Sequence, residues 1–213
     1  MKEIRLSKTL PNVFASQDIH SDIWLDEVVL EKGNVYLVEA SSGAGKSSLC
    51  SFISGFRNDF SGKILIDGED VSGFSTQDWV DIRSRHLSLV FQELRLFSEL
   101  TAMENVMIKN QLTNHKTQKQ IEEWFCSVGL KDKINSRVGE LSFGQQQRVA
   151  ILRALSQPFD FLLADEPVSH LDDVNGQTIS EILMHEAREQ GAAIVVTSIG
   201  KRMELPYNKT FCL

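Results

Sequence analysis

The second half of the chain contains two short and almost uninterrupted apolar segments, Phe161–Ala164 and Ala193–Val196. Strands that are buried on both faces have this pattern, which is typical of a parallel sheet covered by helices. The segment between them, about Asp173–Glu189, is long enough for the crossover helix that joins neighbouring parallel strands. The pattern therefore predicts an α/β fold.

The N-terminal third has the apolar segments and turn residues of β-structure. Val28–Leu30 and Val35–Val38 are predicted strands, joined tightly by the turn-forming segment Glu31–Asn34. Another strand is predicted within Gly62–Gly68, where an Asp-Gly turn ends it. We therefore expect this part of the molecule to be rich in strands.

The middle of the chain has helical periodicity instead. Apolar residues recur at helical spacing from about Thr101 to Leu130, and Gly129 is the predicted end of that helix. The next helix is predicted over Gln145–Leu155. We expect these helices to form a lobe inserted into the α/β core at about residues 93–150, within one domain that spans residues 1–213.

The composition excludes several classes of protein. The 213 residues are 42% hydrophobic and 24% charged, which suffices for one sizeable core. Asp and Glu (29) outnumber Lys and Arg (22), and the net charge of −7 argues against a nonspecific nucleic-acid-binding protein. No apolar segment approaches the roughly 20 residues of a membrane-spanning helix. Residues 1–10 lack the apolar region of a secretion signal, so we expect a cytoplasmic protein.

The cysteines and histidines do not have the spacing of a structural or catalytic metal site. The three cysteines form neither a disulfide framework nor a zinc pattern, and we expect them to be reduced and buried. They are Cys50, Cys126 and Cys212. The histidines show no paired ligand spacing, so we assign them no metal. They are His20, His86, His115, His170 and His185.

A phosphate-binding loop follows the strand Val35–Val38. The segment Ala40–Ser47 matches G-x-x-x-x-G-K-[ST] except at its first position, where Ala40 replaces Gly. Small residues let backbone N–H groups turn towards a phosphate, and the helix that follows favours an anion at its N-terminus. Lys46 is predicted to bridge the β- and γ-phosphates, and the Ser47 hydroxyl to ligate Mg²⁺. The predicted phosphate-binding residues are Ser41, Ser42, Gly43, Ala44, Gly45, Lys46, Ser47 and Ser48.

Two residues at the start of this loop leave alternatives open. Ala40 matters only if its φ is positive, where a Cβ costs about 1 kcal/mol. Glu39 lies beside a polyanion site, so it either faces solvent or is paired by an Arg or Lys. The alternative interpretation of the whole segment is an accidental Ser/Gly-rich turn. The position of the segment between a predicted strand and a predicted helix argues against this alternative.

The predicted strand Phe161–Ala164 ends in two acids, Asp165 and Glu166. The carboxyl end of a buried strand is where an open α/β sheet places its ligand. Asp165 is predicted to hold Mg²⁺, directly or through water, and Glu166 to polarise the water that attacks the γ-phosphate. A surface turn before Pro167 is the structural alternative.

The segment Leu141–Arg148 closely resembles the L-S-G-G-Q signature of the ATP-binding cassette (ABC) ATPases. Phe91–Gln92 resembles the Q-loop of that family, Ser169–Asp172 its D-loop, and Ser61–Gly68 the strand and turn after its first helix. The resemblance extends from about Gly33 to the end. It implies a P-loop NTPase of the ABC type, with a β-rich N-terminal part, a RecA-like core and an inserted helical lobe.

The resemblance also implies roles for individual residues. In this family the signature contacts ATP held by the phosphate loop of a second subunit, at a helix N-terminus suited to an anion. Ser142, Gly144 and Gln145 would therefore bind nucleotide across a head-to-tail dimer. Gln92 would contact Mg²⁺ or water and take part in catalysis. The partner cassette would be a second copy of this chain or a related ATPase subunit.

The function implied is an ATP-binding and ATP-hydrolysing subunit of an ABC transporter, with ATP and Mg²⁺ as ligands and no nucleic acid. Such a subunit lies on the cytoplasmic face of the membrane and powers membrane-spanning permease subunits on separate chains. The segment Leu94–Leu100, with Leu96 and Phe97, resembles the docking site of those subunits, and packing within the helical lobe is the alternative. Leu100–Val106 resembles the subgroup that serves lipoprotein release, macrolide export and cell division.

Some positions depart from the family pattern. Phe143 replaces the first Gly of the signature, which is tolerable if its ring turns outward. Ser198 stands where the family has a His that contacts the γ-phosphate, and the resemblance assigns it to the catalytic residues. A hydroxyl can donate a hydrogen bond there but carries no charge. Together with Ala40, these changes favour an alternative function, a nucleotide-gated regulatory or weakly active module, against which Glu166 argues. A soluble ABC ATPase of DNA repair or translation is disfavoured because no coiled-coil run or basic patch is present.

The residue that stacks on adenine is left open. Phe14 lies in the zone where the family places an aromatic residue for this purpose. Trp24 is instead expected to pack against a strand.

Overall fold

The computed structural model describes residues 1–213, which form nine strands and six α-helices. The strands are β1 (Glu3–Pro11), β2 (Glu27–Glu31), β3 (Val35–Glu39), β4 (Phe60–Ile66), β5 (Glu69–Asp70), β6 (Leu87–Val90), β7 (Phe161–Asp165), β8 (Ala193–Ser198) and β9 (Lys209–Cys212). The helices are α1 (Lys46–Ile53), α2 (Thr76–Asp81), α3 (Ala102–Asn110), α4 (Gln118–Ser127), α5 (Phe143–Leu155) and α6 (Asp173–Gln190).

The strands form two sheets. A four-stranded antiparallel sheet has the order β2-β1-β4-β5, and a five-stranded parallel sheet has the order β6-β7-β8-β3-β9. The two apolar runs of the second half are β7 and β8, which pair in parallel with Leu162 opposite Ile194. The helix α6 joins them. The predicted α/β architecture is therefore confirmed.

The parallel sheet is covered on both faces. On one face, Leu162 and Ile194 pack into a core formed with α3, α4, α5 and α6. On the other face, Leu163 and Val195 pack against α1 and the antiparallel sheet. Successive side chains of a strand point to opposite faces, and both faces of this sheet are covered. The side chains on both faces are therefore apolar, and each strand is a continuous hydrophobic segment.

The strands β2 and β3 are joined by the predicted tight turn but do not pair with each other. β2 pairs with β1 in the antiparallel sheet, and β3 pairs with β8 and β9 in the parallel sheet. Every residue of β3 except its last is buried, which requires the interior position that the parallel sheet provides. Gly33, with a φ of +88°, reverses the chain between the two sheets.

The periodic stretch from Thr101 to Leu130 is two helices, α3 and α4, and not one. The Asn110 amide accepts a hydrogen bond from the Lys116 N–H and donates one to the Lys116 carbonyl, which closes a short loop after α3. Thr117 then caps α4 through a reciprocal arrangement with Gln120. Local side-chain hydrogen bonds thus interrupt a pattern whose apolar spacing alone looks continuous.

The expectation of buried cysteines is wrong for two of the three. Cys50 is buried in α1, whereas Cys126 and Cys212 are exposed and all three are free thiols. Cys126 lies on the outer face of α4, and Cys212 lies on β9, the edge strand of the parallel sheet. None of the helices combines the length and hydrophobicity required to cross a bilayer.

Candidate nucleotide-binding site

The carboxyl ends of β3, β7 and β8 meet at one edge of the parallel sheet. In register, Glu39 lies opposite Ser198, and Asp165 lies opposite Thr197. The strand ends of a parallel sheet all face the same way, so the phosphate loop after β3 and the acids at the end of β7 are brought together. This edge is the candidate site.

The backbone of the phosphate loop has positive φ angles at two of its glycines. Gly43 and Gly45 have φ values of +82° and +98°, and Gly45 caps α1. A Cβ at Gly45 would lie 3.1 Å from ring atoms of both Phe14 and Trp24. Ala40 is outside the positive-φ region, so its Cβ carries no backbone penalty there.

Lys46 is the first residue of α1 and is buried beneath the loop. Its Nζ donates to the Ser41 carbonyl over 3.1 Å and lies 3.8 Å from Glu166 Oε1. An ammonium group has three donors, and only one has a hydrogen-bond acceptor within the protein. The remaining donors suit the oxygens of a phosphate.

Oxygen atoms suited to Mg²⁺ converge on Ser47. Its Oγ lies 2.6 Å from Asp165 Oδ2 and 3.3 Å from Gln92 Oε1. Hydroxyl, carboxylate and amide oxygens are the hard ligands that Mg²⁺ prefers, so this donor set fits the ion. The structure thus brings together all three residues predicted as metal ligands.

The second oxygen of Asp165 is held by a residue that the sequence analysis missed. Thr197 Oγ1 donates to Asp165 Oδ1 over 2.5 Å, and the Thr197 carbonyl accepts the Glu166 N–H over 3.2 Å. Both contacts depend on the pairing of β7 with β8. A β-branched residue in an apolar strand gives no local signal of this role.

Glu166 has a φ of +51°, an uncommon conformation for a residue with a side chain. Such conformations persist where the surrounding structure holds them, and they cluster at functional sites. Here the backbone N–H is held by Thr197, and Gln147 Nε2 donates to the Glu166 carbonyl over 3.1 Å. The backbone of Glu166 is therefore fixed, and its carboxylate lies beside Lys46.

The signature segment forms the start of α5. Ser142 is its N-cap and forms a reciprocal capping box with Gln145. Gly144 approaches the D-loop so closely that a Cβ would lie 3.0 Å from the His170 carbonyl. The Phe143 ring is 45% exposed and meets His170 edge to face at 4.4 Å. The ring therefore turns outward, which is the condition under which we expected a Phe to be tolerated at this position of the signature.

Gln147 links the signature helix to the acidic strand end, a role that the sequence analysis also missed. Besides the Glu166 carbonyl, it contacts Ser169 Oγ at 3.4 Å and accepts the His170 N–H over 3.3 Å. A Gln within a polar helical turn has many possible partners, so the sequence alone does not identify this one.

The side chains of three other residues discussed in the sequence analysis form hydrogen bonds within the protein. Ser198 is buried, and its Oγ donates to the Lys201 carbonyl over 2.6 Å. The Ser48 hydroxyl accepts a hydrogen bond from Arg57 over 3.0 Å. Glu39 is paired by Arg202 through two hydrogen bonds of 2.6 and 2.8 Å, which settles its open alternative in favour of an Arg partner.

Burial and charge shift several pKa values around the site. Burial, and then the charge of Asp165, raise the pKa of the Cys50 thiol well above its usual value, so Cys50 is a neutral packing residue. Burial lowers the pKa of Arg148 in α5. Hydrogen bonds from Asn175 hold the pKa of Asp172, at the end of the D-loop, below its usual range.

A glycine-bearing loop between a parallel strand and a helix, with a buried Lys and a facing strand-end carboxylate, defines a P-loop nucleotide-binding protein. The helix α5, which begins with the signature segment, lies beside this site and indicates the ATP-binding cassettes within this class. A family model described as "ABC transporter" matches residues 26–169, and the chain belongs to this family of ATP-binding cassettes.

Individual proteins that are similar to the chain are also ATP-binding proteins of ABC transporters. An ABC transporter ATP-binding protein, YtrE of Bacillus subtilis (strain 168), is 36% identical over 168 residues, which cover 78% of this chain and 73% of that protein. The lipoprotein-releasing system ATP-binding protein LolD of Porphyromonas gingivalis (strain ATCC BAA-308 / W83) is 29% identical and covers 83% of this chain and 82% of its own. The predicted subgroup is confirmed by this relative and by macrolide export ATP-binding/permease proteins, also similar to the chain.

A solved structure has the same fold. The dimeric structure of MJ0796, a bacterial ABC transporter cassette, superposes with a TM-score of 0.78 at 27% identity and covers 92% of this chain and 87% of that chain. The same cassette is also known as a dimer in a post-hydrolysis state bound to ADP and Pi.

Proposed function

We propose that this chain hydrolyses MgATP and thereby drives membrane-spanning subunits on separate chains. The observation that carries the proposal is the convergence of Ser47, Asp165 and Gln92 oxygens, with Glu166 fixed beside Lys46. This arrangement provides oxygen ligands for a metal, a cation for the phosphates and a carboxylate in the position of a base.

Each residue has a defined task in this reaction. Lys46 neutralises the phosphate oxygens, and Ser47, Asp165 and Gln92 hold Mg²⁺, which when bound neutralises charge that develops on the phosphates. Glu166 orients a water molecule and accepts its proton as the water oxygen bonds to the γ-phosphorus. The bond to the leaving oxygen breaks, and the products are ADP and phosphate.

The second part of the proposal is that two cassettes enclose the nucleotide. Ser142, Gly144 and Gln145 lie at the N-terminus of α5, where backbone N–H groups suit an anion. We assign them to the ATP of a partner cassette, either a second copy of this chain or a related ATPase subunit. The dimeric structures of the similar cassette support this assignment.

The partner that is driven is a membrane permease, and the chain would lie at the cytoplasmic face of the membrane. Within Leu94–Leu100, Leu94 is buried, Leu96 is partly buried and Phe97 is exposed. We assign the exposed part of this segment to docking of the permease. The single domain over 1–213 and the helical lobe at about 93–150 stay predictions of the same kind.

Ser198 favours a second candidate, a cassette of low turnover. Its hydroxyl proton is committed to the Lys201 carbonyl, and it has no charge to place at a phosphate. Ser198→His restores an imidazole at this position. If low turnover comes from this position, the variant hydrolyses ATP faster than the wild type.

The test is steady-state ATP hydrolysis by the purified chain, alone and reconstituted with its permease. We expect Glu166→Gln to lower kcat by about 10²–10⁴-fold, the usual contribution of a general base, with ATP still bound. Glu204→Gln, at an exposed acid outside the site, is the matched control and should change little. Hydrolysis that is absent from the wild type even with the permease, or insensitive to Glu166→Gln, would contradict the enzyme assignment.

A further inference from the structure

The segment directly after β8 folds into a tight loop at the edge of the candidate site. It spans residues 199–202 and is called the β8 loop here. Ser198, the last residue of β8, is buried, and its Oγ donates to the Lys201 carbonyl over 2.6 Å. The Lys201 N–H donates to the Ile199 carbonyl over 3.1 Å, and Gly200 has a φ of +85°. These contacts fix the backbone from which the next two side chains extend.

The Lys201 side chain reaches the D-loop. Its Nζ donates to the Leu171 carbonyl over 2.6 Å and lies 3.1 Å from Asp173 Oδ1. The Asp173 side chain is 99% exposed, so water screens this ion pair and the pair contributes little. A hydrogen bond from an ionised donor is roughly twice as strong as one between neutral groups. The main hold of Lys201 on the D-loop is therefore the bond to the Leu171 carbonyl.

Arg202, the next residue, holds the start of the phosphate loop. Its guanidinium donates to both oxygens of Glu39, the last residue of β3. The Ala40 N–H, at the first position of the phosphate loop, donates to the Ser198 carbonyl over 3.2 Å. Two adjacent residues of the β8 loop thus contact the D-loop and the base of the phosphate loop.

The D-loop borders the residues that the proposed reaction uses. The Ser169 N–H and Oγ both donate to the Glu166 carbonyl, over 3.3 and 3.1 Å. Leu171 is buried, and a Cβ added to Gly144 would lie 3.7 Å from its Cδ2. A displaced Leu171 would therefore disturb both the turn that carries Glu166 and the start of α5.

We propose that Lys201 is a positioning residue for ATP hydrolysis. Its ammonium group holds the D-loop at the Leu171 carbonyl, and the D-loop in turn keeps Glu166 and the start of α5 in place relative to the phosphate loop. Lys201 acts through the D-loop and not on the reacting atoms. This role rests on the proposed function, which so far includes no residue of the β8 loop.

The first test is steady-state hydrolysis of MgATP by the full chain, alone and with its permease. We expect Lys201→Met to lower kcat about tenfold, because a charged hydrogen bond to the D-loop is lost. The Kd for MgATP should stay within about twofold of the wild type, because the phosphate loop keeps its Arg202 contact. Lys201→Arg retains a charged donor for a single carbonyl and should recover most of kcat. General destabilisation would not give this split between kcat and Kd together with rescue by Arg.

Two control variants isolate the bond to the carbonyl. Asp173→Asn removes only the exposed ion pair and should leave kcat unchanged. Lys133→Met makes the same substitution at an exposed Lys of the helical lobe and should also leave kcat unchanged. A wild-type kcat in Lys201→Met, an equal fall in Asp173→Asn, or a raised Kd with unchanged kcat would overturn the proposal.

Amide hydrogen exchange tests the hold on the D-loop without any turnover. The Leu171 N–H donates to the Val168 carbonyl over 3.2 Å, and the His170 N–H to Gln147 Oε1 over 3.3 Å. We expect the peptide over residues 166–172 to exchange severalfold faster in Lys201→Met and at the wild-type rate in Lys201→Arg. A peptide from α4 reports global unfolding and should not change. Unchanged exchange in the D-loop peptide, or faster exchange in both peptides, would overturn the positioning role.

Glu166→Gln, measured alongside these variants, distinguishes the two failures. Hydrolysis that depends on Glu166 and is insensitive to Lys201→Met overturns the role of Lys201 and leaves the proposed function intact. Hydrolysis that is absent from the wild type even with the permease contradicts the proposed function, and the role of Lys201 in that reaction is overturned with it.

Discussion

At the scale of single residues, Trp24 supports the phosphate loop from below. Its side chain is 2% exposed, and its indole N–H donates to the Ala44 carbonyl over 3.1 Å. The ring also lies against Gly45. A loop that must present its N–H groups to a phosphate gains affinity when it is already held in that shape.

We therefore expect Trp24→Phe to weaken ATP binding. The loss of one hydrogen bond, about 1 kcal/mol, corresponds to roughly a fivefold rise in Kd, measurable by calorimetry with MgATP. Trp79→Phe is the control, since Trp79 makes no contact with the loop and packs against Phe74. Equal ATP affinity in Trp24→Phe and wild type would show that the loop does not depend on this support.

At the scale of elements, the N-terminus of α6 is fixed by a charged cap at the end of the D-loop. The Asp172 carboxylate accepts hydrogen bonds from the Asn175 N–H over 2.8 Å and from its amide over 2.7 Å. These bonds, with a smaller effect from Arg148, hold the pKa of Asp172 below its usual range. A carboxylate near a helix N-terminus also interacts favourably with the helix dipole.

The sign of the pH dependence follows from this lowered pKa. A group with a depressed folded-state pKa stabilises the fold above its unfolded-state pKa, and this stability is lost as pH falls through the folded-state value. Asp172→Ala should therefore lower the Tm at pH 7, and the difference from wild type should narrow below about pH 4. Asp132→Ala, at an exposed acid, is the control. A difference that stays constant with pH would contradict the capping role.

Features that depend on residues adjacent in sequence were predictable from the sequence. Features that depend on how distant segments align with one another were not. The phosphate loop and the Ser142 cap depend on residues that are adjacent in sequence. The Thr197–Asp165 contact depends on the register between β7 and β8, which an apolar pattern does not specify even where it predicts neighbouring strands. For the same reason, the pattern predicted β2 and β3 as strands but not their different sheets.

The break between α3 and α4 was missed for another reason. The apolar positions keep helical spacing across it because both helices pack on the same core. What ends α3 is a pair of hydrogen bonds between the Asn110 side chain and the Lys116 backbone, and Asn favours such turns over helix interiors. Periodicity reports which face is buried and does not report whether the backbone is continuous.

At the scale of the whole molecule, the helix α5 connects the regions that a working cassette must coordinate. Its first turn carries the signature, Gln147 in its middle contacts the Glu166 carbonyl, and Arg153 near its end holds the segment after Gln92. A helix is a stiff element, so a shift at one of these places moves the others. We expect nucleotide contact at the signature, the position of the Glu166 carboxylate and the position of the segment after Gln92 to be coupled through this helix.

In the proposed function, two cassettes share each ATP. Light scattering of Glu166→Gln tests it most directly, because this variant should bind MgATP without consuming it. We predict that MgATP shifts the 24.0 kDa chain to twice that mass, and that Ser142→Arg in the same background abolishes the shift. A Glu166→Gln chain that binds MgATP in calorimetry and stays at the mass of one chain would contradict the claim.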